Sequence, residues 1–480
     1  MTSRMSQKVA LCTDDANNHC IHHFKGFVLP ILLRMTLLMF LLSAHGVKAY
    51  EVDYQIQADE ALETLKVKVC FAEKVPKALY NGAWEDNRWL KSVLDAKGYP
   101  LRVADNEMRL EGVKSHQCIS YQSRIASDKS RRRSNYRSGT DLVINNNTWL
   151  WQPKDLGAND KIKLTFNLAK GYNVSTPWPL LDKAKNQFML TQTPYDWDSR
   201  IAIGRFSVKP IKVARQTLQV AILNASAKRK AEYIDWIRQV AGAIAGLNGD
   251  FPLDNAQILI TPIGARREAV PWGEVQRGGS TSAHFFVDSF RPIQEFKDDW
   301  TAAHELSHML VPFINRDELW LSEGIASYYQ NVARAKAGMI SPQKGWSKLL
   351  AGFSRGTKAA KKESLSNSSA IMQMYWGGAA LYMMADAQLR KQSNNQQSVA
   401  TVLSQFNRCC RPSITRWSGL KLMLQFDKIS GTKIFSRLYY SEAQQRRFPD
   451  IMPVLKALGF DELKIQEGHQ LNDRAMAMMK

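Results

Sequence analysis

His304 and His308 stand four residues apart, with Glu305 beside the first, in the run Asp299-Trp300-Thr301-Ala302-Ala303-His304-Glu305-Leu306-Ser307-His308. On an α-helix, positions four apart lie about 40° apart around the axis and about 6 Å apart along it. Both imidazoles then leave one face, close enough to hold a single metal ion. Glu305, about 100° round from His304, borders that site without being a ligand. This is the His-Glu-x-x-His pattern, in which the histidines bind zinc and the glutamate acts as base. A catalytic zinc site takes three protein ligands and leaves one position for water. The third ligand expected here is Glu323, early in a second predicted helix that a hairpin near Pro312 and Asn315 folds back over the histidines. Asp298 and Asp299 are placed to cap the first helix.

With Trp320-Leu321-Ser322-Glu323-Gly324-Ile325-Ala326-Ser327-Tyr328-Tyr329 downstream, the motif resembles the gluzincin metallopeptidases. The resemblance is to the glycyl aminopeptidase family and, more distantly, to the aminopeptidase N family. It covers residues 299–329 closely and runs more loosely from Tyr50 to the C-terminus. It implies zinc as cofactor, a thermolysin-like catalytic domain and a peptide or protein substrate. Met374-Tyr375-Trp376-Gly377-Gly378-Ala379-Ala380-Leu381 resembles the gluzincin Tyr-x-x-Gly-Ala segment, which makes Tyr375 the expected partner of the tetrahedral intermediate. The gap between His308 and Glu323 is about one helical turn shorter than in aminopeptidase N. Ser322 stands where that family usually has Asn, and Gly377 replaces a familiar Lys. The Gly-x-Met-Glu-Asn motif, whose Glu holds a free amine in aminopeptidase N, is missing. Trimming from the N-terminus and internal cleavage therefore both stay open. Glu274, read as part of a loop, is a candidate amine anchor. His284 reads as a hydrogen-bonded structural histidine, with substrate or oxyanion contact as the alternative.

The elements that must position these groups are legible in outline, and the expected class is α+β. From Tyr50 to Pro210, alternating runs such as Leu65–Val69 and Lys161–Phe166 predict a β-sandwich-like domain, with a helical stretch around Trp89 to Ala96. Trp149, Trp151 and Trp178 read as core. A zincin catalytic domain is expected over residues 211–345, with strands at 216–223, 256–262 and 278–288, a helix at 227–247 and a linker at 289–297. A helical C-terminal region follows over 346–480, with Ser341-Pro342 as a helix start.

Whole-chain properties bound the function. The 480 residues are 45% hydrophobic, and one N-terminal apolar run, Phe27 to Leu42, precedes Val47-Lys48-Ala49. That pattern predicts a signal peptide over 1–49 and export to the periplasm or medium, with an uncleaved anchor as the alternative membrane link. Cys70 and Cys118 could pair in an oxidising compartment. The adjacent Cys409 and Cys410 are expected to pair elsewhere or stay free. The net charge of +21 is densest at Lys129, Arg131, Arg132, Arg133 and Arg137. It fits attraction to anionic envelope polymers or acidic peptides, and no nucleic-acid recognition motif accompanies it. Besides peptide hydrolysis, two readings stay open: zinc-dependent hydrolysis of a non-peptide amide or ester in an envelope polymer, and a basic envelope-binding scaffold with a vestigial site.

Overall fold

Burial along the strands separates three layers of sheet. The computed structural model describes residues 49–82, 88–125, 135–360, 363–411, 414–465 and 469–480. The expected leader, Cys12 and Cys20 within it, the basic run at Lys129 and Arg131 to Arg133, and Lys361-Lys362 lie outside the described residues. Residues Ala49–Lys480 form one compact unit.

The outer layer is a seven-stranded sheet in the order Leu180–Asp182, Gln187–Met189, Lys161–Asn167, Glu51–Ala58, Thr64–Phe71, Cys118–Arg124, Leu90–Leu94. Thr64–Phe71 and Cys118–Arg124 alternate buried with exposed positions, as strands do when one face meets a core and the other meets water. The middle layer is a four-stranded sheet, Asn173–Ser175, Arg200–Gly204, Asp141–Asn145 and Tyr136–Ser138. Its two central strands are buried at every position, so both faces are covered. One face packs Leu142, Ile144, Ile201 and Ile203 against Val52, Tyr54 and Trp149. The other packs Val143 and Ala202 against Ala221 and Leu259 of the next sheet. The expected sandwich is thus present, and Trp149, Trp151 and Trp178 are buried in its core.

The third layer is a five-stranded sheet in the order Val208–Val213, Gln216–Ile222, Gln257–Pro262, Ser282–Val287, Trp272–Gln276. The helix Ala227–Asn248 crosses between its parallel strands. Trp236, Ile237 and Ile244 of that helix join Ile258, Phe285, Leu306 and Ile325 in one large core. Helices then dominate, from Thr301–His308 onward to Asp473–Met479. Ser341 caps the helix Pro342–Ala359 through the Lys344 amide, with proline in the first turn as expected.

Four local expectations are corrected. The stretch around Trp89 to Ala96 is a strand, Leu90–Leu94, whose pairing on the sheet edge decides a run too short to show helical periodicity. The linker at 289–297 contains the short helix Ile293–Asp298. Trp272–Gln276 is an additional strand, so Glu274 lies on the sheet's edge rather than in a loop. Cys409 and Cys410 are bonded to each other. They sit where the helix Val399–Cys410 gives way to extended backbone at Arg411, which relaxes the roughly 100° divergence of successive helical side chains. Cys70 and Cys118, facing each other on neighbouring strands, are also bonded. No helix among the described residues is long and apolar enough to cross a membrane.

Candidate metal centre

Thr301–His308 is buried along its whole length. Ala302, Ala303 and Leu306 face the core, and the Asp299 carboxylate accepts from the Thr301 amide at 2.7 Å, while Asp298, also expected as a cap, instead ends the preceding helix and the N-cap position is Trp300. The histidines leave the opposite face with ring planes at 89° and centroids 4.9 Å apart. Leu319–Lys336 follows after a turn pinned by Asn315 and Trp417 backbone bonds, and brings Glu323 back as expected. Its carboxylate lies 3.2 Å from His304 Nε2 and 3.6 Å from His308 Nε2. Ligand atoms of His304, His308 and Glu323 all lie within 4.8 Å of one another. In a tetrahedral zinc site with bonds near 2.1 Å, neighbouring ligand atoms sit about 3.4 Å apart. The donor set and spacing fit zinc.

The outward nitrogens are held as well. His304 Nδ1 meets Gln330 Oε1 at 2.8 Å, and His308 Nδ1 meets Ser322 Oγ at 2.9 Å. With an amide oxygen as acceptor, His304 carries its proton on Nδ1 and leaves the Nε2 lone pair for a metal. Ser322, the departure from the usual Asn, is therefore a partner of a ligand. Gln330 escaped the sequence reading, although it lies seven residues after Glu323 and so about 20° from it on one helix face.

Two close approaches set the rest. A Cβ at Gly273 of the edge strand would lie 2.6 Å from Glu305 Cγ and 2.9 Å from Thr301 Cγ2, so only glycine lets the strand run against the metal helix. Gly378 lies against the Trp320 carbonyl and Gly324. That contact brings Ile371–Gln392 onto the Glu323 helix, and the Tyr375 ring stacks on His304 at 5.6 Å. Tyr375 also lies near enough to the Glu323 carboxylate to lower its pKa.

Residues 313–402 match the M61 glycyl aminopeptidase family. The matched segment contains Glu323, Gln330 and Tyr375 and begins five residues after His308. No curated protein matches the sequence significantly. Among solved structures, an aminopeptidase N family protein from Idiomarina loihiensis aligns with a TM-score of 0.66 at 14% identity, covering 85% of this chain and 78% of that one. An M1 zinc metallopeptidase from Deinococcus radiodurans, solved with a Tyr-Ser-Ala substrate, aligns at 0.53 and 11%, covering 84% and 96%. Leukotriene A4 hydrolase from Saccharomyces cerevisiae aligns at 0.52 and 10%, covering 85% and 70%. These likenesses establish a shared mixed α+β fold.

The electrostatics around the candidate metal centre suit metal-assisted hydrolysis. Burial pushes the Glu305 carboxyl up; His304 opposes the rise, Glu323 and Glu274 add to it, and the result is about 7. Burial pulls His308 down to about 4 against the pull of Glu323, with His304 and Arg277 adding to the fall. Its imidazole is therefore neutral, as a ligand must be. Burial would raise Glu323, but His308 and His304 hold it below the usual range, as an anion. Burial, then Glu323 and Glu305, push the Tyr375 phenol far up, so it keeps its proton. Glu274 is joined to Arg200 at 2.9 Å and faces His284 at 3.7 Å. His284 is buried and bonds Thr261 Oγ1 at 2.8 Å.

Proposed function

We propose that the chain is a zinc-dependent peptidase that trims peptides from a free N-terminus. The convergence of His304, His308 and Glu323 beside Glu305, next to and partly within the segment similar to the M61 glycyl aminopeptidases, carries this reading. Bound zinc supplies Lewis acidity, which acidifies water and polarises a carbonyl. Glu305, with a carboxyl near 7, is suited to take the attacking water's proton and return it to the leaving amine. Tyr375, protonated and beside the centre, is placed to donate to the oxyanion. Trp272–Gln276 lies at the edge of its sheet, the position where an extended peptide adds as a further strand. Glu274 on that strand, held ionised by Arg200 against the effect of burial, is our amine anchor. The tripeptide bound by the Deinococcus protein is consistent with such a substrate.

The test compares free and N-acetylated peptides. Glu305→Gln should keep its zinc and lose about 100- to 10,000-fold in turnover, and Glu274→Gln should raise KM for free-amine peptides only. Normal cleavage by Glu305→Gln would remove the base assignment. Equal cleavage of blocked peptides would remove the anchor and favour internal cutting. Failure to cut any peptide would favour a non-peptide bond. We also propose an extracytoplasmic location, supported by the Cys70–Cys118 disulfide between adjacent strands.

A further inference from the structure

His308 is the last residue of its helix. The last turn of a helix leaves carbonyls without intrahelical donors and tends to fray, so a metal ligand there needs support from outside. Three carbonyls at this end receive it. The Arg277 guanidinium donates to the His308 oxygen at 2.8 Å. Arg411 donates to the Met309 oxygen at 3.1 Å and also to the Val311 oxygen. The two arginines arrive from separate elements. Arg277 follows the edge strand, and its amide and that of Gly278 both donate to the Asp198 carbonyl, at 3.2 and 2.8 Å. Gly278 is backed by the Trp197 carbonyl, where a Cβ would collide. Arg411 follows the helix Val399–Cys410. Burial disfavours both guanidinium charges, and Arg277 adds to that effect at Arg411. Their charges meet the negative end of the metal helix, where a cation is favourable.

We propose that Arg277 and Arg411 are positioning residues for the metal centre, clamping the end of the helix that carries His308 so that its imidazole is held in place for the ion. The proposal rests on the zinc reading above. Its test uses the full chain with Arg277→Gln, Arg411→Gln and Arg411→Lys. Three quantities are measured: the zinc dissociation constant by competition with a chromophoric chelator, the visible spectrum of the cobalt-substituted protein, and the melting temperature of the metal-free protein. Each Gln variant should weaken zinc about 10-fold or more and alter the cobalt bands, while metal-free melting stays close to wild type. Arg411→Lys should restore part of the affinity, since one ammonium reaches one carbonyl but lacks the fork that spans two. Wild-type zinc affinity in both Gln variants would overturn the clamp. So would weaker zinc with an unchanged cobalt spectrum and an equal fall in metal-free melting. Wild-type protein that takes up no zinc would overturn the zinc reading itself, before any variant is compared.

Discussion

His304 and His308 each turn one ring nitrogen to the metal position and the other to the protein, and the second contact decides how well the first is made. Gln330 is buried and its amide oxygen fixes the His304 ring. Gln330→Ala should leave that Nδ1–H without its acceptor and free the ring to turn. The expected result is zinc bound about 10- to 100-fold more weakly, read by chelator competition, and undiminished affinity would show that packing alone orients the ring. The ligands themselves were legible because their spacing is local to two helices. Ser322 was visible only as a departure from a pattern. Gln330 was missed because a polar residue two turns along a helix gives no sign of its partner until the two helices are docked.

At the scale of elements, close helix contact is what aligns Tyr375 with Glu323. Glycine in an exposed helix costs roughly 1 kcal/mol relative to alanine, so Gly378→Ala would stabilise an isolated Ile371–Gln392 helix. Here the added methyl would strike the Trp320 carbonyl and lie 2.8 Å from Gly324 Cα. Overpacking of this kind costs about 1–3 kcal/mol. Gly378→Ala should therefore destabilise the protein, shown by a lower urea midpoint, and turnover should fall as Tyr375 moves. A stabilised variant would mean the helices yield easily. The same physics hid the edge strand from the sequence. Trp272-Gly273-Glu274-Val275-Gln276 has one aliphatic residue and a glycine, a poor strand by propensity. Gly273 stands there because Glu305 passes against it, a demand made by tertiary packing.

Across the whole molecule, the middle sheet joins the outer layer to the catalytic sheet, and Arg200 is its polar link to the site. The β-rich character of residues 50–210 was legible, but the individual strands of this sheet and their burial on both faces were not, since no single run reveals how many layers cover it. Arg200 is 1% exposed in its side chain and reaches Glu274 at 2.9 Å. Burial alone would raise Glu274, yet Arg200 and His284 hold it below its ordinary value. A carboxylate depressed in the folded state adds stability above its unfolded pKa, near 4.3, and that stability is lost as pH falls through the folded value. Arg200→Gln should leave Glu274 buried without its cation, at a cost of about 3 kcal/mol near pH 7. Below about pH 4, Glu274 is protonated in the variant and progressively in the wild type, so the gap in urea midpoint should narrow. A gap that stays constant from pH 7 to pH 3.5 would assign the loss to packing of the Arg200 stem rather than to the ion pair between layers.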